Sequence, residues 1–64
     1  MRLILPDGNV MDIAHDSAPV ATILLEVGMN PLDVMVSRNG KLITEDTILE
    51  LDDEIRIIRI SHGG

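Results

Sequence analysis

A chain of 64 residues with no cysteine and no phenylalanine, tyrosine or tryptophan has to close its core with aliphatic side chains alone. A domain of this size buries only about 60% of the surface that its unfolded chain exposes. No disulfide can staple it, and no thiolate can hold a metal or attack a substrate. Leu, Ile, Val, Met and Ala must supply the core of a single domain.

The apolar pattern divides into short pieces. Residues 1–5 form a mostly apolar run that fits a buried strand. Pro6-Asp7-Gly8-Asn9 is a turn, because Pro presets φ and Gly accepts a positive φ. Residues 10–14 read as a second strand, with Met11 and Ile13 on one face and Asp12 on the other. Val20, Ile23, Leu24 and Val27 then recur at the i, i+3, i+4, i+7 spacing of an amphipathic helix, with Thr22 and Glu26 on the opposite side. This predicts a helix over residues 18–27, with Asp16 or Ser17 as N-cap and Pro19 in the first turn. Gly28 stops it, and Asn30-Pro31 prevents resumption.

Residues 33–38 predict a β-branched strand, and Asn39-Gly40 a type I′ hairpin turn into a short strand at residues 41–43. Residues 44–53 read as irregular and acidic, anchored by Ile48, Leu49 and Leu51. Residues 54–60 form the last strand, with Ile55 and Ile57 facing the core and Arg56, Ile58 and Ile60 facing away. One helix on one face of a mixed four- or five-stranded sheet is an α+β architecture. The first and last strands are the most apolar, so they are expected centrally and parallel to one another. The expected core is Leu3, Val20, Ile23, Leu24, Val27, Val36, Ile55 and Ile57. Domain 1–60 is followed by a tail at 61–64 with nothing to bury, expected to be mobile.

Composition removes several function classes. Eleven acids against five bases give a formal charge of −6, which argues against direct nucleic-acid binding and against anionic membranes. A basic protein surface is the natural complement. No apolar run approaches the roughly 20 residues of a membrane span, and a cytoplasmic protein is expected. His15, His62, Ser17 and Ser37 stand at element edges or in the tail, without the spacing of a nucleophile and its base. No glycine-rich phosphate loop is present. His15 reads as a surface or edge residue, and Asp52-Asp53-Glu54 as a solvated acidic turn rather than a metal site. An enzyme with its own active site, bound cofactor or metal is not expected.

Gly63-Gly64 stands apart. With glycine near 7% of residues, a given pair of positions is Gly-Gly by chance in roughly 0.5% of chains. Residues without Cβ pass a narrow channel and take backbone angles closed to others. A side chain at Gly64 would also crowd its carbonyl carbon during attack.

Joined to this element order, the Gly-Gly pair resembles the ubiquitin-like β-grasp sulfur carriers of the ThiS/MoaD type and the related archaeal small modifier proteins. The resemblance spans nearly the whole chain. Its most specific stretches are Val34-Met35-Val36-Ser37-Arg38-Asn39-Gly40, and Thr47-Ile48-Leu49 through Asp53-Glu54-Ile55-Arg56-Ile57-Ile58 to Gly63-Gly64. Asp52-Asp53 replaces the family's frequent Gly-Asp, and His62 stands where small residues are common.

The resemblance implies a β-grasp fold and a cycle. An adenylyltransferase related to ubiquitin-activating enzymes would use ATP and Mg to form an acyl-adenylate on Gly64. A sulfur donor of the cysteine desulfurase or rhodanese type would convert this to a thiocarboxylate. The sulfur would pass to an acceptor synthase making thiamine or molybdopterin, or to tRNA thiolation. In the modifier branch the activated carbonyl would join a lysine of a target protein. A non-covalent β-grasp binding module is the third alternative. Gly64 is the expected attachment point, with Gly63 and His62 as its tail. Met35, Arg56, Ile58 and Ile60 are the expected partner-binding surface.

Overall fold

The computed structural model describes residues 1–60. Strand β1 (Arg2–Ile4) turns through Pro6-Asp7-Gly8 into β2 (Val10–Asp12). The two pair antiparallel, Leu3 opposite Met11. The turn closes as the Gly8 N–H donates to the Leu5 carbonyl at 2.9 Å, with Gly8 at φ 90. At the far end the terminal ammonium donates to the Ile13 carbonyl at 2.9 Å.

Next come a two-residue strand β3 (Ala18–Pro19) and the helix α1 (Val20–Glu26). The helix begins two residues later than its sequence predicts and has no side-chain cap. Backbone satisfies its first amides instead. Val20 N–H donates to the Thr47 carbonyl at 2.9 Å and Ala21 N–H to the Glu45 carbonyl at 2.8 Å. Ser17, one of the two expected caps, donates its hydroxyl to the Glu50 carboxylate at 2.6 Å. The C-terminus follows the sequence signal. Gly28 sits at φ 82, its N–H donates to the Leu25 carbonyl at 3.1 Å, and Met29 N–H donates to the Leu24 carbonyl at 2.8 Å. These are the paired bonds of a Schellman motif.

A 3-10 turn (Pro31–Asp33), capped by the Asn30 side chain accepting from Leu32 N–H at 2.9 Å, leads into β4 (Val34–Arg38). Asn39 and Gly40 then take φ 55 and 79, the doubly positive geometry of the expected hairpin turn, and β5 (Lys41–Ile43) returns. Within the stretch read as irregular lies β6 (Ile48–Leu49), which pairs antiparallel with β3 as a separate ribbon. Strand β7 (Glu54–Arg59) completes the fold.

The main sheet has five strands in the order β2-β1-β7-β4-β5. β1 and β7 are parallel and both interior, and every other neighbour pair is antiparallel. This is an α+β, β-grasp-like architecture with one helix, as the element order predicts.

The core comprises Leu3, Ala18, Val20, Ile23, Leu24, Val34, Val36, Leu49, Ile55 and Ile57. Val27, expected within it, is half-buried and packs against it from the last turn of the helix. Of the three expected anchors in residues 44–53, only Leu49 is buried. Ile48 and Leu51 are 48% and 55% exposed: alternation within β6 turns Ile48 away from the face on which Leu49 is buried, and Leu51 lies beyond the strand, in the turn before β7. Among the described residues no helix is long and apolar enough to cross a membrane.

Candidate functional site: the outer face of the sheet

Alternation along β7 divides its side chains between two environments. Ile55 and Ile57 are almost fully buried, while Glu54, Arg56 and Ile58 face away from the core. Register extends this outer face across the sheet. Ile58 lies opposite Met35 of β4, and Arg56 opposite both Ile4 of β1 and Ser37 of β4. Val10 lies beyond Ile4, and Leu42 beyond Ser37. One row across the sheet therefore reads Val10, Ile4, Arg56, Ser37, Leu42, with Ile58 and Met35 in the row beside it. Ile58 and Met35 are 41% and 39% exposed. Four of the nine exposed large apolar side chains among the described residues, Val10, Met35, Leu42 and Ile58, fall on this face, which makes it a candidate interaction surface.

Met35, Arg56 and Ile58 are thus brought together on the outer face. Ile60 is not part of that row. It follows the end of β7, is half-buried, and donates its N–H to the Asp33 carbonyl at 3.0 Å. Gly64, Gly63 and His62 lie outside the described residues. Ile4, Val10 and Leu42 were not singled out by sequence. Alternation gives each strand two faces, but only the register with β7 says which face each side chain joins.

Charges on this face are unevenly matched. Arg2 Nε lies 3.5 Å from Asp12 Oδ1, and its Nη1 lies 3.9 Å from Glu54 Oε2. Both acids of the outer face therefore flank Arg2. Arg56 has no ion pair among the described residues. It borders a shallow depression together with Ile4, Ser37, Asn39 and Glu54.

The acidic turn divides rather than clusters. Asp53 Oδ2 accepts from Arg38 Nη1 at 3.1 Å and from Glu50 N–H at 2.8 Å, while Glu54 faces Arg2. Among the described residues no group of three His, Cys, Asp or Glu side chains is placed to hold a metal ion. His15 is half-buried, and its Nδ1 lies 2.7 Å from the Asp16 carbonyl. A carbonyl only accepts, so this nitrogen carries the proton.

The Thr44 hydroxyl holds the Asp46 carboxyl below the usual carboxylate range, helped by the backbone N–H of Asp46. A cavity of about 200 Å³ opens between α1 and the β4–β5 edge, lined mainly by Val20, Leu24, Val34, Val36 and Ile43. Glu45 is its one ionisable lining residue, so it lacks the nucleophile–base pair a reaction would need.

Neither known protein families nor curated proteins match this chain.

Proposed function

We propose that this chain is a ubiquitin-like sulfur carrier whose working group is the carboxylate of Gly64. The observation that carries the reading is the path of β7. It is the central strand, paired parallel to β1, and in sequence only Ile60, Ser61 and His62 separate its last residue from Gly63-Gly64. A carboxylate is a poor electrophile until it receives a good leaving group. A partner adenylyltransferase would supply this from ATP and Mg, releasing pyrophosphate and leaving an acyl-adenylate. Attack by sulfide, with loss of AMP, would place sulfur on the carbonyl carbon as a thiocarboxylate. Attack by a persulfide donor would give an acyl disulfide and AMP, and a second thiol of the donor would then cleave the S–S bond, releasing the thiocarboxylate and leaving the donor as a disulfide. The outer face around Met35 and Ile58 supports a docking role, since it offers apolar area to a partner without disturbing the core.

Intact mass tests this reading. The chain is incubated with the adenylyltransferase of its own organism, Mg-ATP and a sulfur source. A gain of about 16 mass units, oxygen exchanged for sulfur, is the expected result. Adducts on lysines of other proteins would identify a modifier instead. An unchanged mass would leave a non-covalent binding module and sink both covalent readings. Deleting Gly64 withdraws the carboxylate by about 3.5 Å, while near-attack geometry tolerates roughly 1 Å. Adenylation should therefore be abolished with the melting temperature unchanged.

A further inference from the structure

We propose that Arg56 is the specificity-determining cation of the outer face, and that the partner protein docking there carries a carboxylate opposite it. This inference rests on the carrier reading for the identity of the partner, but its argument comes from the sheet.

The chain is acidic, at −6, yet its outer sheet face holds a cation with no ion pair among the described residues. The two acids on that face both lie against Arg2. The remaining bases lie elsewhere. Arg38 bonds Asp53, while Lys41 and Arg59 pair opposite Arg38 and Val34 on the helix-side alternation of their strands. Arg56 sits on β7, the middle strand of five, between Ile4 and Ser37. The exposed apolar side chains Val10, Leu42, Met35 and Ile58 surround it. A partner covering those side chains must therefore also cover Arg56 and strip water from its guanidinium. An unpaired buried charge is costly, whereas a carboxylate accepting from the guanidinium fork in two parallel bonds offsets the loss. The depression bordered by Ile4, Ser37, Asn39 and Glu54, the last facing Arg2 at 3.9 Å, gives such a side chain a place beside Arg56.

The same position argues against a second copy of this chain as the occupant. A two-fold axis through the face would bring two Arg56 side chains together at its centre, like charge against like. A different protein, with an apolar surface around one Asp or Glu, avoids that repulsion.

The test measures ATP–pyrophosphate exchange by the organism's adenylyltransferase as a function of carrier concentration. Wild type, R56K and R56E are compared, with thermal unfolding of each carrier as the control for folding. Truncating or opposing one member of a buried charge pair commonly costs tenfold or more in affinity, so R56E should raise KM for the carrier at least about tenfold. The loss should fall on KM more than on kcat. R56K keeps the charge but not the two-pronged fork and should recover part of the loss. Raising the salt concentration should raise KM for wild type more steeply than for R56E. Wild-type turnover with an unchanged KM for R56E overturns the role of Arg56 alone. Equal impairment of R56K and R56E overturns it too, since charge would then not be the property read. A wild-type chain that is never adenylated overturns the carrier reading, and this inference with it.

Discussion

Leu49 and Leu51 lie two residues apart in one acidic stretch, and truncating each to Ala separates the structure from its closest rivals. Leu49 is fully buried between the β3–β6 ribbon and the core, while Leu51 is 55% exposed. Leu→Ala removes three carbons, worth about 2.4 kcal/mol at roughly 0.8 each. The cavity left behind adds to this, so the cost at a fully buried leucine lies at about 2.7–5 kcal/mol. A chain of 64 residues has a total stability of only about 3–10 kcal/mol at about 0.05–0.15 per residue. Leu49→Ala should then lower the melting temperature by at least about 10 °C, or leave the chain unfolded at 25 °C, given about 4–8 °C per kcal/mol at this size. Leu51→Ala should stay within about 0.5 kcal/mol of wild type. The chain has no tryptophan or tyrosine, so far-UV circular dichroism during heating is the practical readout. Equal losses for the two variants, or a larger loss for Leu51→Ala, would refute the ribbon and the inward placement of Leu49.

Arg38→Gln should cost about 1.5–3 kcal/mol in urea unfolding, because Arg38 Nη1 bonds both Asp53 Oδ2 and the Ile48 carbonyl at 3.1 and 3.3 Å and so ties β4 to the 48–53 loop. Gly40→Val should lose about 1–2 kcal/mol by the same measurement, since φ 79 is a left-handed conformation that a β-branched residue resists. Thr44→Val should let the Asp46 carboxyl rise toward the ordinary carboxylate value, as an NMR pH titration would report. The folded-state value is depressed, so Asp46 contributes stability at neutral pH that is lost as pH falls through that lower value. The acid limb of the wild-type melting curve should accordingly be steeper than that of Thr44→Val.

Local chemistry made much of this fold legible before any coordinates. Asn39-Gly40 and Gly28 each demand a positive φ, and both supply it where a turn or a helix end requires one. The 3.6-residue stripe of Val20, Ile23 and Leu24 found the buried helix face, and the alternation of Ile55 and Ile57 found the inner face of β7. The misses share a cause, which is pairing between distant segments. The local signal points to a Ser17 or Asp16 side chain as the helix cap, but carbonyls of Thr47 and Glu45 do that work from more than twenty residues away. Nothing local to Ser17 signals this. In the same way Ile48, Leu49 and Leu51 are equally apolar in sequence, and only the pairing of Leu49 with Ala18 decides which is buried. On the candidate site, Ile58 and Met35 were legible as outward positions. Ile4, Val10 and Leu42 needed the cross-strand register to join them.

β7 is the element in which stability and the proposed function meet, and its sequence keeps the two apart by parity. Its odd positions Ile55 and Ile57 are fully committed to the core, packed under the helix with Leu3 and Val36. Its even positions Arg56 and Ile58 are free of that duty and sit at the centre of the exposed face. A change at an even position can therefore alter recognition while the core stays closed. A change at an odd position removes buried area that so small an aliphatic core cannot spare. Ile58→Glu should thus weaken partner docking with the melting curve preserved, whereas Ile57→Glu should prevent folding, because an ionised carboxylate would be buried there without a partner. If Ile57→Glu melted like wild type, β7 would be turned over relative to this register, and the outer face drawn from it would be the wrong one.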